Sequence, residues 1–225
     1  MIALFKTYAP MLLESLGNTL LLTILALIFA MIIGMIFALM NVGKNRFFNF
    51  IGTVYVDAVR GVPLIVLAYF IYFGVPQGIK MMGFVNFKLP ALQAGTIALA
   101  MNCGAYMAEI IRAGIESVDK GQMEAARSLG LPYGKSMRKI VLPQAIRTMI
   151  PSIINQFIIT LKDTSILSVI GFPELTNAGK TMAGNTFKSL QTWAIVGIMY
   201  MIVIVTLSRL AKYLERRLKR GREQY

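Results

Sequence analysis

Apolar runs of about 20 residues, the length a helix needs to cross a hydrocarbon core, recur along this chain and leave no room for a soluble domain between them. They fall at about 12–40, 53–75, 91–115, 143–170 and 190–212. Of the 225 residues 56% are hydrophobic and only 15% charged, as expected of a chain that lives mostly in lipid. The expected fold is all-α and integral to the membrane: a single domain over 1–225 with five transmembrane helices and one long polar loop at 116–142. The first run, Leu16 to Met40, is too long for the apolar region of a cleaved signal and has Lys6 as its only basic lead-in, so it reads as a retained span. With no histidine and the lone Cys103, the chain has no thiolate or imidazole cluster for zinc or haem, and no internal disulfide.

Basic residues set the orientation. One side collects Lys44, Arg46, Arg112, Lys120, Arg127, Lys135, Arg138, Lys139, Arg147 and the tail from Arg209 to Arg222. The other holds Lys6, Lys80, Lys88, Lys180 and Lys188. The rich side is expected to be cytoplasmic, which puts the N-terminus outside, and the C-terminus and the 116–142 loop inside. The net charge of +13 is then membrane topology rather than nucleic-acid binding, since there is no basic soluble domain. The tail suits anionic lipid.

The loop carries the strongest motif. Asp119 can cap a helix of about three turns whose Gln122 reaches back to the cap, and Gly130 followed by Pro132 stops it. Ala125 and Ala126 would let a partner's surface approach closely, while Glu124, Arg127, Lys135, Arg138 and Lys139 keep the segment in water. The run Glu124-Ala125-Ala126, then Gly130, then Ile140, Leu142 and Pro143 in fixed register resembles the EAA loop of bacterial ABC importer permeases. That resemblance implies that these residues couple the chain to a cytoplasmic ATPase. The structural alternative is an ordinary amphipathic helix.

A nucleotide site within the chain itself is not expected. The only Gly-Lys-Thr, Gly179-Lys180-Thr181, has Glu174 where a phosphate loop needs its first glycine. ATP and magnesium therefore belong to a separate subunit, with no cofactor in this chain. The outer loops, about 16 to 18 residues, are too short for a solute-binding domain, so a separate extracytoplasmic receptor is expected.

Four further segments narrow the resemblance. Asp57 to Leu64 (DAVRGVPL), Ala105 to Arg112 (AYMAEIIR), Gly121-Gln122 before Glu124, and Leu161 to Ser165 (LKDTS) are similar to permeases of the polar amino acid branch, the histidine and glutamine type. The similarity implies a type I importer core in a bacterial cytoplasmic membrane. Such a core has two permease subunits, identical or related, two ATPases and a receptor that delivers an amino acid.

Charges inside the membrane cost roughly 2.5 to 3.5 kcal/mol each on insertion scales, so each is a candidate site residue. Asp163 and Lys162, with Ser165 beside them, lie deep in the fourth span. As neighbours they diverge by about 100° and need separate partners. Asp163 suits a substrate ammonium or guanidinium. Lys162 suits a carboxylate, a snorkelling position or another helix. Glu109 shares a face with Asn102 and Glu116 on the third span, as a polar path or as a local pair with Arg112. Arg60 and Asp57, three apart, either neutralise each other or, where Gly61 and Pro63 break the helix, expose Arg60 to a cavity. Pro143 and Pro151 predict kinks in the fourth span. Tyr69, Tyr72, Trp193 and Tyr200 read as interface or packing residues.

These readings converge on vectorial transport of a polar amino acid, basic ones favoured by the acidic groups, with no covalent chemistry in this chain. A proton-coupled secondary transporter or ion channel relaying through Asp163 and Glu109 is the alternative. A structural membrane subunit is a third.

Overall fold

A computed structural model describes residues 1–43 and 45–220, with side chains as far as Tyr213. Lys44, Arg222 and the side chains of Arg216, Arg217, Lys219 and Arg220, all invoked for orientation or lipid contact, lie outside the described residues. The described chain is helical throughout: α1 (Ile2–Val42), α2 (Arg46–Gly61), α3 (Leu64–Met81), α4 (Ala91–Glu116), α5 (Lys120–Ser128), α6 (Tyr133–Ile170), α7 (Leu175–Thr186) and α8 (Ser189–Arg220). Five of these, α1, α3, α4, α6 and α8, are long and apolar enough to cross a membrane.

α4 is the central post. Small residues on it, Ala94, Ala98, Gly104, Ala105 and Ala108, are buried and let neighbours close in. α1 meets it with its own small stripe, Ala26, Ala30, Gly34 and Ala38, spaced four apart and hence on one face. The approach is as tight as two backbones allow. A Cβ on Gly34 would stand 2.5 Å from Cβ of Met107, and one on Gly104 2.8 Å from Cγ2 of Ile33. Ile24, Ile28, Ile32 and Leu39 of α1 face outward, as a lipid-contacting wall would.

The second span differs from the expected continuous helix over 53–75. The chain leaves α2 at Gly61, runs extended through Val62 and Pro63, and resumes as α3. Proline has no N–H to continue the ladder and disfavours a helical conformation in the residue before it. Non-helical backbone at membrane depth is tolerated only where it lines a cavity or is covered by protein. Here it lines a cavity.

Two π turns, Phe70–Gly74 in α3 and Met137–Val141 in α6, each end two residues before a proline, Pro76 and Pro143. The N–H just ahead of each proline, from Val75 and Leu142, bonds the carbonyl five residues back. Widening the turn relieves the clash a proline ring makes with the carbonyl four residues before it. Local π geometry thus accommodates Pro143.

Residues 171–188, expected as a turn-rich outer loop, contain the twelve-residue helix α7. Its cap explains the difference. Gly171, at φ 75°, ends α6, and the fully buried Glu174 then accepts the backbone N–H groups of Thr176 (2.7 Å) and Asn177 (2.6 Å). Burial pushes this carboxyl above its ordinary range, against the pull of those donors and of Tyr200. Tyr200 is therefore more than a packing residue, for its hydroxyl donates to Glu174 at 2.8 Å. Asn18 and Thr19 of α1 hold the same corner, taking the Pro173 carbonyl and the Leu175 N–H. Gly179-Lys180-Thr181 lies inside α7, so it forms no phosphate loop, and Lys180 donates to Ser168 at 2.9 Å.

Candidate functional site

Three helices converge on the break in the second span. A cavity of about 480 Å³ is lined there by Arg60 and the 61–64 segment, by Asn102 and Tyr106 of α4, and by Gln156 and Asp163 of α6. Asn102 and Tyr106 are four apart and Gln156 and Asp163 seven apart, so each pair shares a helix face. Asn102 and Gln156 are 8% and 6% exposed. Inside a membrane such amides persist where they bind something or one another. The cavity thus offers a cation, a carboxylate, two amides and an aromatic face, a set that suits a small polar molecule carrying both charges.

Below the cavity the charges form a chain. The Arg60 guanidinium lies over the Tyr106 ring, 5.3 Å from its centroid. Its Nη1 stands 3.8 Å from Oε2 of Glu109. Arg112 grips Glu109 through Nε (3.3 Å, to Oε2) and Nη2 (to Oε1) and reaches Glu116 through Nη1 at 2.6 Å. Glu116 is the last residue of α4, and Asp119 caps α5 just beyond it.

α5 is a second candidate surface. Asp119 accepts the N–H of Gly121 at 2.6 Å, as expected of the cap, while among the described residues no side-chain hydrogen bond carries Gln122 back to it. The helix ends in a Schellman motif, with Leu131 N–H on Ala126 O at 3.1 Å and Gly130 left-handed at φ 85°. Its outward face presents Glu124, Ala125 and Leu129, the last 84% exposed. Ala126, expected on that face, is buried at 2% exposure and serves the contact with the chain's own core instead. Ile140 and Leu142 are half-buried behind the helix, and Pro143 is exposed. The apolar cluster of Ile111, Ile115, Val141 and Ala145, with Met123 of α5 against it, roots α5 on α4 and α6. α5 is therefore packed against two of the spans that line the cavity.

Residues 26–220 match the family described as binding-protein-dependent transport system inner membrane component. The chain belongs to that family. The permease is 36% identical over 210 residues to the arginine transport system permease protein ArtQ of Bacillus subtilis, covering 93% of both chains. To the glutamine transport system permease protein GlnP of Escherichia coli it is 35% identical, covering 93% of this chain and 94% of that one. Among solved structures, an amino acid ABC transporter crystallised with histidines superposes at a TM-score of 0.87, with 38% identity over 95% and 96% of the two chains. The inward-facing MetNI methionine ABC transporter shares the fold at 0.79 and 18% identity over 94% and 98%. The fold is that of type I ABC importer permeases.

The residues singled out in the permease sequence separate into two groups. Arg60, Asn102 and Asp163 line one cavity, and Glu109 adjoins it through Arg60. Asp57, Lys162 and Ser165 do not line it: Asp57 and Lys162 point outward, and the Ser165 hydroxyl is spent on the Lys162 carbonyl at 2.7 Å. Among the described residues Arg60 pairs with Glu109, not with Asp57. The expected stripe of Asn102, Glu109 and Glu116 is divided, with Arg112 holding both glutamates. Tyr106 and Gln156 were missed, although Tyr106 stands one turn from Asn102 and Gln156 two turns from Asp163, and that spacing was the available signal.

Proposed function

We propose that this chain is the membrane subunit of an ATP-driven importer of a polar amino acid. The observation that carries the reading is the cavity at the helix break, where Arg60 and Asp163 present opposite charges to one small space. An amino acid zwitterion matches that pair: its carboxylate meets Arg60 and its ammonium meets Asp163. The names of the relatives, arginine and glutamine permeases, support the same class. Arg60 offsets Asp163 and Arg112 offsets Glu109, so the cavity as built selects for the zwitterion, and a preference for a basic side chain rests on the relatives rather than on net charge.

The chain performs no covalent step. It pairs with a second permease, a copy or a related chain, and lies in the inner membrane with its N-terminus outside. Two cytoplasmic ATPases bind ATP and magnesium, and an extracytoplasmic receptor delivers the amino acid. Glu124, Ala125, Leu129 and Gly130 form the lever seated in an ATPase groove. When the ATPases close, the lever moves α4 and α6 together, and the cavity between them opens to the other side.

The test is uptake of radiolabelled arginine, histidine, glutamine and glutamate into liposomes holding the assembled importer, with receptor and ATP present or withheld. Asp163→Asn is expected to lower uptake at least tenfold, consistent with the loss of the charged partner of the substrate ammonium. Unchanged uptake in that variant would remove the cavity from the pathway.

A further inference from the structure

Arg60 is poorly satisfied where it stands. Its contact with Glu109, 3.8 Å from Nη1 to Oε2, is too long for a hydrogen bond, and among the described residues its guanidinium donates no other. The Tyr106 ring below it offers attraction but no acceptor. Glu109 is in the opposite condition. Both of its oxygens already accept from Arg112, which is in turn shared with Glu116. One partner of the contact thus has unused donors facing a cavity, and the other has its charge answered elsewhere.

We propose that Glu109 and the carboxylate of the transported amino acid compete for Arg60, so that Glu109 sets how tightly the cavity holds its cargo and releases Arg60 when cargo arrives. The proposal rests on the function put forward above. A bidentate guanidinium–carboxylate pair closes to about 2.7 to 2.9 Å and outweighs a contact at 3.8 Å. Glu109 gives up little, because Arg112 remains bound to it. The arriving carboxylate, stripped of water, has no other cation lining the cavity among the described residues. Glu109 acts through Arg60 and is a positioning residue, with no contact to cargo of its own. Its value to transport is that binding stays reversible: Arg60 has somewhere to return when the cargo leaves.

The experiment measures equilibrium binding of tritiated arginine and glutamine, and of their decarboxylated analogues agmatine and 4-aminobutanamide, to the importer complex in nanodiscs. Glu109→Gln removes the competitor. Arginine and glutamine are expected to bind about two- to fivefold tighter, the range a half-exposed ion pair accounts for, while both analogues are unchanged. In Arg60→Gln the preference for the carboxylated ligand collapses, and adding Glu109→Gln to it changes nothing further. Because Glu109→Gln strands Arg112, the double variant Glu109→Gln/Arg112→Gln, which removes both charges of that pair, is measured beside it and is expected to show the same tightening. Equal weakening of ligand and analogue by Glu109→Gln, or no change in either, would overturn the competition while leaving the importer reading in place. A wild-type complex that binds none of the four compounds would overturn both.

Discussion

The fully buried Glu174 carboxylate accepts the Tyr200 hydroxyl at 2.8 Å, tying the start of α7 to the middle of α8. The same carboxylate caps α7 with both oxygens. A glutamine can accept on only one of its two terminal atoms, so Glu174→Gln leaves a backbone N–H unpaired at a cost of about 1 to 2 kcal/mol. Tyr200→Phe, which keeps both caps, should cost about 1 kcal/mol. Burial raises the folded-state pKa of this carboxyl. Its contribution to stability is therefore complete below the unfolded value of about 4.3 and declines as pH rises through the higher folded value. Thermal unfolding across pH should show the gap between wild type and Glu174→Gln narrowing as pH is raised; a gap that widens would contradict the assignment.

Gly34 and Gly104 set the distance between α1 and α4. Gly34→Ala places a methyl 2.5 Å from Cβ of Met107 and 3.1 Å from the Gly104 carbonyl, neither of which is a flexible tip. Overpacking of this kind costs about 1 to 3 kcal/mol. The measured quantity is the thermal midpoint of the purified permease, with Gly17→Ala, which meets nothing within 4 Å, as the control that should unfold no earlier than wild type.

Gly130 is left-handed with open space around it, so Gly130→Ala strains the backbone by about 1 kcal/mol without a clash. Leu129→Asp leaves the backbone alone and puts charge on the exposed apolar side chain that caps the C-terminus of α5. Both should lower ATP-dependent uptake, the second at least tenfold, while the permease still folds and inserts. Copurification of ATPase with permease separates the two effects: Leu129→Asp should lose the partner, and Gly130→Ala should retain part of it.

The helical nature of the chain and its five apolar spans were legible because a run long enough to cross a membrane carries its own signal. The α5 motif was legible because Asp119, Gly130 and Pro132 are local stop and start residues. The inward placement of Ala126 was not, since a nine-residue helix has to root one face on something, and periodicity in so short a segment does not say which. The break at Val62 and Pro63 was visible as a possibility, yet the partner of Arg60 was not. Asp57 is close in sequence, whereas Glu109 reaches it only through the packing of α4 against the second span. α7 was read as a loop because 171–188 carries Pro, Gly and Asn turn residues; its helix depends on a buried cap and on Thr19, more than 150 residues away.

The most direct measurement is uptake of arginine and glutamine into liposomes containing the assembled importer, with ATP inside and receptor outside, each omitted in turn. Uptake that requires both and collapses with Leu129→Asp is the predicted result. Uptake that proceeds without ATP and follows a proton gradient would contradict it, and would make Asp163 and Glu109 a relay instead of a cargo ligand and a positioning residue.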